Sequence, residues 1–178
     1  MPKAVDIIRA EHQSMTRLLD LLYQQIDLFE EGNQPDYELL QEIVDYFLTY
    51  PDLYHHPKED MIFRRIKKRL PDQVEDMFDL EAEHEQISER LRVFARALAN
   101  VMLEGEVPRD QFVPLAREFL DGERKHMAYE ESHFLQLALD TLNDEDWKQV
   151  DAKVARISDP LSKEQTTQFS IITNHLNG

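Results

Sequence analysis

The sequence has 178 residues, with no cysteine and only four glycines, and its N-terminal segment has no long apolar run. The lack of cysteine excludes disulfides, thiolate zinc sites, cysteine-ligated iron–sulfur clusters and cysteine nucleophiles. Scarce glycine beside a charged fraction of 31% favours helices over sheet. The N-terminal segment predicts neither a signal peptide nor a membrane span, so we expect a cytoplasmic location.

Positive charge is also in short supply. The chain has 20 lysines and arginines against 36 aspartates and glutamates, which gives a formal net charge of −16. A nucleic acid partner requires a basic surface, and an anionic membrane surface attracts basic segments. The composition therefore predicts a protein that binds neither.

Apolar residues recur at spacings of three and four along most of the chain, as expected for amphipathic helices that face a common core. Four long helices are predicted at 3–31, 36–70, 72–103 and 109–142, and a short fifth helix at 143–157. Short turns between long helices favour antiparallel neighbours. We therefore predict an all-α, up-down-up-down four-helix bundle with a short C-terminal helix over residues 1–157. The polar tail, 158–178, is expected to pack loosely.

Two prolines, Pro51 and Pro57, interrupt the second predicted helix. A proline inside a helix removes one backbone hydrogen bond and clashes with the preceding turn. We expect a kink or a break at one of them, and the sequence does not indicate which. Such a kink could re-aim the side chains beside it.

Each of the four long helices has one histidine on its apolar stripe: His12, His55, His84 and His126. Counted from the turns that neighbouring helices share, their depths agree within about three residues, or about 5 Å at 1.5 Å per residue. A single buried histidine is ordinarily a satisfied core residue. Four at one level of a bundle indicate a shared site.

Two of these histidines have a carboxylate one helical turn later, His55 with Glu59 and His126 with Glu130. Residues four apart share one face of a helix, so each pair can bind one metal or reach across to a second. Imidazole and carboxylate without thiolate suit iron, manganese or zinc. Six protein ligands are too many for a tetrahedral zinc ion, so a dinuclear iron site is the first choice.

Other polar residues near these positions are weaker candidates. His56 and Asp60 have the same spacing but point about 100° away from the stripe, which favours an outer or surface role. Glu131 is offset in the same way. His133 lies one turn beyond Glu130 and is expected on the inner stripe, as an outer partner, a pocket-lining residue or an extra ligand. His175, in the tail, is expected to be exposed.

The pattern resembles the hemerythrin-like family, also called HHE cation-binding domains. The matching segments, which fall between residues 5 and 140, are Ala10-Glu11-His12, HHPKEDMIF at 55–63, AEHE at 82–85 and HMAYEE at 126–131. The resemblance implies an up-down four-helix bundle with a non-haem di-iron centre, joined by an oxo or hydroxo bridge. It also implies six ligands, with Glu59 and Glu130 bridging: His12, His55, Glu59, His84, His126 and Glu130.

The sequence departs from the oxygen-carrying members of that family at one position. They have a second histidine one turn after the third-helix ligand, where this chain has Ser88. A serine is a poor iron ligand, so the resemblance implies O2 sensing, iron handling, or nitric oxide or peroxide chemistry rather than stable O2 carriage. The expected ligand is O2, another small diatomic molecule or peroxide.

Three alternatives remain at the sequence level. A ferritin-like carboxylate di-iron oxidase would use Glu81-x-x-His84 and Glu123-x-x-His126, although this leaves His12 and His55 unexplained. A helical interaction module would contain the histidines without a functional metal. A third possibility keeps the hemerythrin-like centre but uses it as a catalyst rather than as a binding or sensing site.

Overall fold

A computed structural model describes residues 1–71, 80–103, 108–157 and 169–177 of the chain. Every regular element in those ranges is a helix, so the predicted all-α class is confirmed. None of the described helices combines the length and the apolar composition that a membrane crossing requires. The α-helices are α1 (Lys3–Glu30), α2 (Tyr37–Tyr50), α3 (His56–Arg69), α4 (Leu80–Met102), α5 (Arg109–Tyr129), α6 (Leu135–Thr141), α7 (Asp144–Val154) and α8 (Ser170–Asn177).

The observed helices correspond closely to the predicted ones. Helices α2 and α3 together form the second predicted helix, and α5 and α6 form the fourth. Helix α4 corresponds to the third, whose predicted start at residues 72–79 lies outside the described residues. The short fifth helix is α7, and a capping box starts it: Asn143 accepts a hydrogen bond from the backbone of Asp146, whose side chain accepts one in return. The up-down order of the long helices stays a prediction.

A single π-helical turn interrupts each of the two composite helices. The first π-helical turn is Pro51–His55, closed by the His56 N–H, which donates to the carbonyl of Pro51. The second is Glu130–Phe134, closed in the same way between Leu135 and Glu130. A π-helical turn widens the helix by one residue. At the first π-helical turn, the helix therefore widens locally around Pro51 and Pro57 instead of breaking. Pro57 lies in the first turn of α3.

Two apolar clusters fill the bundle, and a polar layer lies between them. The larger cluster contains residues from α1, α2, α4 and α5, and the smaller one contains residues from α1, α3, α6 and α7. Along α1, Ile8 belongs to the smaller cluster and Met15 to the larger, with His12 between them. Along the second composite helix, Tyr50 belongs to the larger cluster and Ile62 to the smaller, with the first π-helical turn between them. The polar layer is thus enclosed at both ends by close-packed apolar side chains.

The C-terminal segment differs from its prediction. Phe169 and Ile172 are buried in the larger cluster, and Phe169 packs edge-on against Tyr46 with ring centroids 5.7 Å apart. The backbone N–H groups of Ile171 and Ile172 donate to Glu42 Oε1 at 2.9 and 3.2 Å. The expectation of loose packing is therefore wrong for this part of the tail, because Phe169, directly before α8, and Ile172, within it, are three residues apart and bury the same side of the segment. Residues 158–168 lie outside the described residues, and the boundary at 157 stays a prediction.

Candidate metal centre

The fold brings all four stripe histidines into the polar layer. His12, His55, His84 and His126 are 4%, 2%, 8% and 4% exposed. They come from α1, the end of the first π-helical turn, α4 and α5. The expectation that they lie at one depth is confirmed. We refer to His12 and His55 as the first imidazole pair, and to His84 and His126 as the second.

The first imidazole pair converges on both predicted carboxylates. His12 Nε2 and His55 Nε2 lie 3.0 Å apart. His12 Nε2 is 3.7 Å from Glu59 Oε1 and 3.3 Å from Glu130 Oε2, and His55 Nε2 is 3.3 Å from Glu59 Oε1. One ligand atom from each of these four buried residues lies within 4.8 Å of all the others. The four donors could therefore surround a single ion.

The second imidazole pair faces the other oxygen of each carboxylate. His84 Nε2 is 3.6 Å from Glu59 Oε2 and 3.5 Å from Glu130 Oε1. His126 Nε2 is 3.0 Å from the same Glu130 oxygen. Each carboxylate thus presents one oxygen to the first imidazole pair and the other oxygen to the second. This division of the oxygens would allow each carboxylate to bridge two metal ions.

The hydrogen bonding of these carboxylates also fits a cation. The side chains of Glu59 and Glu130 are 0% exposed. Among the described residues, all four of their oxygens are buried without a hydrogen bond of acceptable geometry, and so is His84 Nε2. A buried carboxylate is costly unless it is paired or binds a metal. The donor set is nitrogen and oxygen without sulfur, which suits iron, manganese or zinc.

The electrostatics of the layer favour a cation at the same place. Burial lowers the pKa of His12, but its close contacts with the carboxylates of Glu130, Glu131 and Glu59 outweigh that effect and raise the pKa to about 12. Burial also lowers the pKa of His55, but the contacts of this histidine with Glu59 and Glu11 outweigh that effect and raise the pKa to about 9. Burial raises the pKa of Glu130, yet the surrounding imidazoles hold it well below its usual value. A metal ion would replace the protons on the imidazoles, since ligands bind metals in their deprotonated form.

Carboxylates behind the first imidazole pair hold its rings in place. His12 Nδ1 donates to Glu131 Oε1 at 2.8 Å, and His55 Nδ1 donates to Glu11 Oε2 at 2.9 Å. Each hydrogen bond turns Nε2 of the ring toward the centre, as outer carboxylates commonly do for metal-bound histidines. Sequence reasoning assigned Glu131 only an offset position and missed Glu11 as a partner. The sequence did contain a signal for both partners, because each is a glutamate directly adjacent to a predicted ligand: Glu11 precedes His12, and Glu131 follows Glu130.

A buried lysine completes this support and was not predicted. Lys58 is 1% exposed and donates to Glu11 Oε1. Burial alone raises the pKa of Glu11, but the contacts of this carboxylate with His55 and Lys58 outweigh burial and lower the pKa. The carboxylate of Glu11 is therefore shared between an imidazole and an ammonium group in a site with little access to water. A buried lysine is rare unless it is paired in this way.

The remaining candidates are placed differently. His133 is exposed and stacks on Tyr129, so its expected position on the inner stripe is wrong. The second π-helical turn adds one residue, which brings Phe134 inward instead. His175 is exposed, as expected. Ser88 is partly exposed one turn after His84.

His56 has a more buried position than the sequence indicated, and Glu123 is buried as well. The ring of His56 stacks on His84 with centroids 3.6 Å apart and planes 11° from parallel. Glu123 is 4% exposed one turn before His126, and burial raises its pKa. The Glu81 side chain lies outside the described part of the chain, so the pairing that the ferritin-like alternative requires is not described.

Fold and site together define a helical-bundle protein with a buried histidine and carboxylate layer that could bind metal ions. A comparison with protein families matches residues 3–138 to the hemerythrin HHE cation-binding domain. The match covers more than half of the chain, and the chain therefore belongs to the hemerythrin HHE cation-binding family, as the sequence pattern predicted. Searches of curated proteins and of solved structures gave no match. Family membership implies cation binding and favours this assignment over the ferritin-like alternative.

Proposed function

We propose that the chain binds two non-haem iron ions and uses them to sense or bind O2, or to handle iron, nitric oxide or peroxide. The observation that carries the proposal is the division of the carboxylate oxygens. Glu59 and Glu130 each present one oxygen to the first imidazole pair and the other to the second. Two separate groups of donors joined by shared carboxylates suit two ions better than one.

Each proposed ligand has a defined task. His12 and His55 would hold the first ion, with their rings fixed by Glu131 and Glu11. His84 and His126 would hold the second. Glu59 and Glu130 would bridge the two and offset their charge. The bound irons would supply electrons to a small ligand, while the surrounding apolar clusters exclude bulk water from the layer.

Ser88 supports a role other than simple carriage. It lies one turn after His84 and provides a hydroxyl where an imidazole would be a stronger iron ligand. An ion with fewer fixed protein ligands exchanges its remaining positions more readily. We therefore place sensing, iron handling or small-molecule redox chemistry ahead of reversible O2 transport.

The test is anaerobic loading with ferrous iron, followed by the metal content per chain and the optical spectrum before and after O2. The proposal predicts two irons per chain and a visible charge-transfer band that appears with O2. A band that disappears under vacuum would indicate reversible binding, and one that decays to the ferric form would indicate redox chemistry. Uptake of fewer than two irons would contradict the proposal.

A matched pair of variants makes the test specific to the site. His12→Ala removes a buried imidazole that lies 3.3 Å from Glu130. His175→Ala removes an exposed imidazole from α8. We expect the first to lose iron and the second to bind two ions as the wild type does. Equal iron content in both variants would exclude the histidine layer as the iron site.

A further inference from the structure

A cavity of about 550 Å³, partly open to solvent, adjoins the outer support of the first imidazole pair. It lies between α1, α2, α3 and the C-terminal segments around α7 and α8. Glu11 and Lys58 line it, whereas none of the six proposed metal ligands is among the described residues of its lining. Natural sites for small molecules have volumes of about 300–1,000 Å³. The cavity is therefore separate from the metal layer and has room for an organic ligand.

The lining of this cavity is more positive than the chain as a whole. Its described residues include two cations, Lys58 and Arg17, and one carboxylate, Glu11. The entire chain, in contrast, has a formal net charge of −16. A cleft lined by an excess of one charge concentrates ligands of the opposite charge. The charge of the lining therefore indicates an anionic ligand.

The buried ion pair in the lining offers hydrogen-bond donors but no further acceptor. Both oxygens of Glu11 already accept a hydrogen bond, Oε1 from Lys58 and Oε2 from His55. The ammonium group of Lys58 has three N–H donors, and the part of the chain that the structure describes provides an acceptor for one of them. Lys58 is 1% exposed, and a buried donor without an acceptor is costly. A ligand with acceptor oxygens would complete the hydrogen bonding of this group.

The remaining lining suits the body of an organic acid. Arg17 lies six residues after Glu11, about 9 Å farther along α1, and donates to the carbonyl of Leu176 at 3.0 Å. The rings of Tyr46 and Tyr50 stack with centroids 4.7 Å apart, and both line the cavity. Aliphatic side chains add apolar surface: Ile7, Val154, Ile157 and Leu176. A few polar anchors combined with apolar walls are typical of small-molecule sites.

We propose that this cavity binds a small organic anion. The carboxylate or phosphate oxygens of the ligand accept hydrogen bonds from Lys58, and its apolar body lies against Tyr46 and Tyr50. The site goes beyond the proposed function, because its anchoring groups are not metal ligands. The alternative is a structural role, in which Lys58 only neutralises Glu11 and the cavity holds water.

The first test is calorimetric titration of the metal-free, full-length chain with benzoate, benzyl alcohol and benzylammonium. The three molecules share one ring and a similar size but differ in charge. We expect benzoate to bind saturably at one site per chain, and the other two to bind at least about 10-fold more weakly, because they lack the charged hydrogen bond to Lys58. Phenyl phosphate distinguishes a phosphate from a carboxylate head group. If neither anion binds saturably, or if benzyl alcohol binds as well as benzoate, the proposal is overturned.

A matched pair of lysine variants tests the anchor. Lys58→Met removes the ammonium group and retains an unbranched side chain, and Lys68→Met makes the same change at an exposed position of α3. We expect Lys58→Met to weaken the bound anion by about 10–100-fold and Lys68→Met to bind it as the wild type does. Circular dichroism checks that the helices of each variant are intact. Wild-type affinity in a folded Lys58→Met variant would exclude Lys58 as the anchor and overturn the proposal.

Backbone amide NMR of the metal-free wild type locates the ligand without any substitution. Benzoate should shift the amide signals of residues that line the cavity, such as Ser14, Ala155 and Leu176. The signal of Ala99, which lies on α4 away from this lining, should stay unchanged. Shifts confined to residues outside the cavity would overturn the proposal, even if Lys58→Met does not fold.

Iron loading separates this proposal from the proposed function. A chain that takes up fewer than two irons contradicts the proposed function, but benzoate should still bind to the metal-free chain. Anions can also bind directly to iron, so the titration is repeated after iron loading. Benzoate binding that appears only in the iron-loaded chain would place the anion on the metal and overturn the cavity assignment.

Discussion

The two halves of the polar layer are supported from behind in different ways. Charged hydrogen bonds hold the first imidazole pair: His12 donates to Glu131, and His55 donates to Glu11. In the second half, the ring of His56 lies flat against His84 instead. Directional hydrogen bonds fix a ring more tightly than stacking does. We infer that the first half is built to retain its ion, and that the second half is the more adaptable one.

The largest effect is expected from a substitution that disables both halves of the layer at once and so removes the difference between them. Glu130 has oxygens within 3.5 Å of histidines in both imidazole pairs. Glu130→Gln keeps the shape but removes the charge, so we expect both irons to weaken by more than about 100-fold. The measurement is iron per chain after anaerobic dialysis. Glu38→Gln, at an exposed position of α2, is the control and should retain two irons.

The next effect concerns the buried support of the first half. Glu11 is the carboxylate partner of Lys58, whose side chain is 2% exposed. Glu11→Ala leaves that ammonium group buried without its partner, which should lower the free energy of unfolding by about 3–5 kcal/mol. Urea unfolding of the metal-free protein measures it. Glu11→Ala/Lys58→Met removes both charges and should recover most of the loss. A double variant no more stable than the single one would contradict this account.

A smaller effect should be confined to the first iron. Glu131 accepts from His12 Nδ1 at 2.8 Å and from Arg9 at 3.0 Å, and it is about one-third exposed. Glu131→Gln should weaken the first iron by about 10–100-fold and leave the second nearly unchanged. Stepwise iron titration separates the two affinities. Equal weakening of both irons would show that the two halves do not act separately.

Sequence reasoning located the polar layer because its determinants are local. Helical periodicity places His12 and the two His-x-x-x-Glu pairs on inner faces, and the short turns fix their relative depth. The contact between His12 and Glu131 joins residues 119 positions apart. No local pattern specifies such a contact, since it depends on which helices become neighbours.

The π-helical turns explain the clearest error in the site. Ordinary α-helical spacing places His133 inward, one turn after Glu130, but the second π-helical turn inserts one residue and brings Phe134 inward. The buried tail was missed for a compositional reason. Residues 158–178 are mostly polar, and Phe169 and Ile172 are too few to form a visible stripe, yet both are buried.

The smallest expected effect tests the outer support of the second half. Asp52 accepts from His56 Nδ1 at 3.1 Å, and that contact lowers the pKa of the Asp52 carboxyl. The Asp52 side chain is 53% exposed, whereas the Glu11 side chain is 8% exposed. Solvent screens an exposed pair, so Asp52→Asn should weaken the second iron by less than about 10-fold. Stepwise iron titration measures this, and a loss as large as that in Glu131→Gln would show that both halves depend equally on their outer carboxylates.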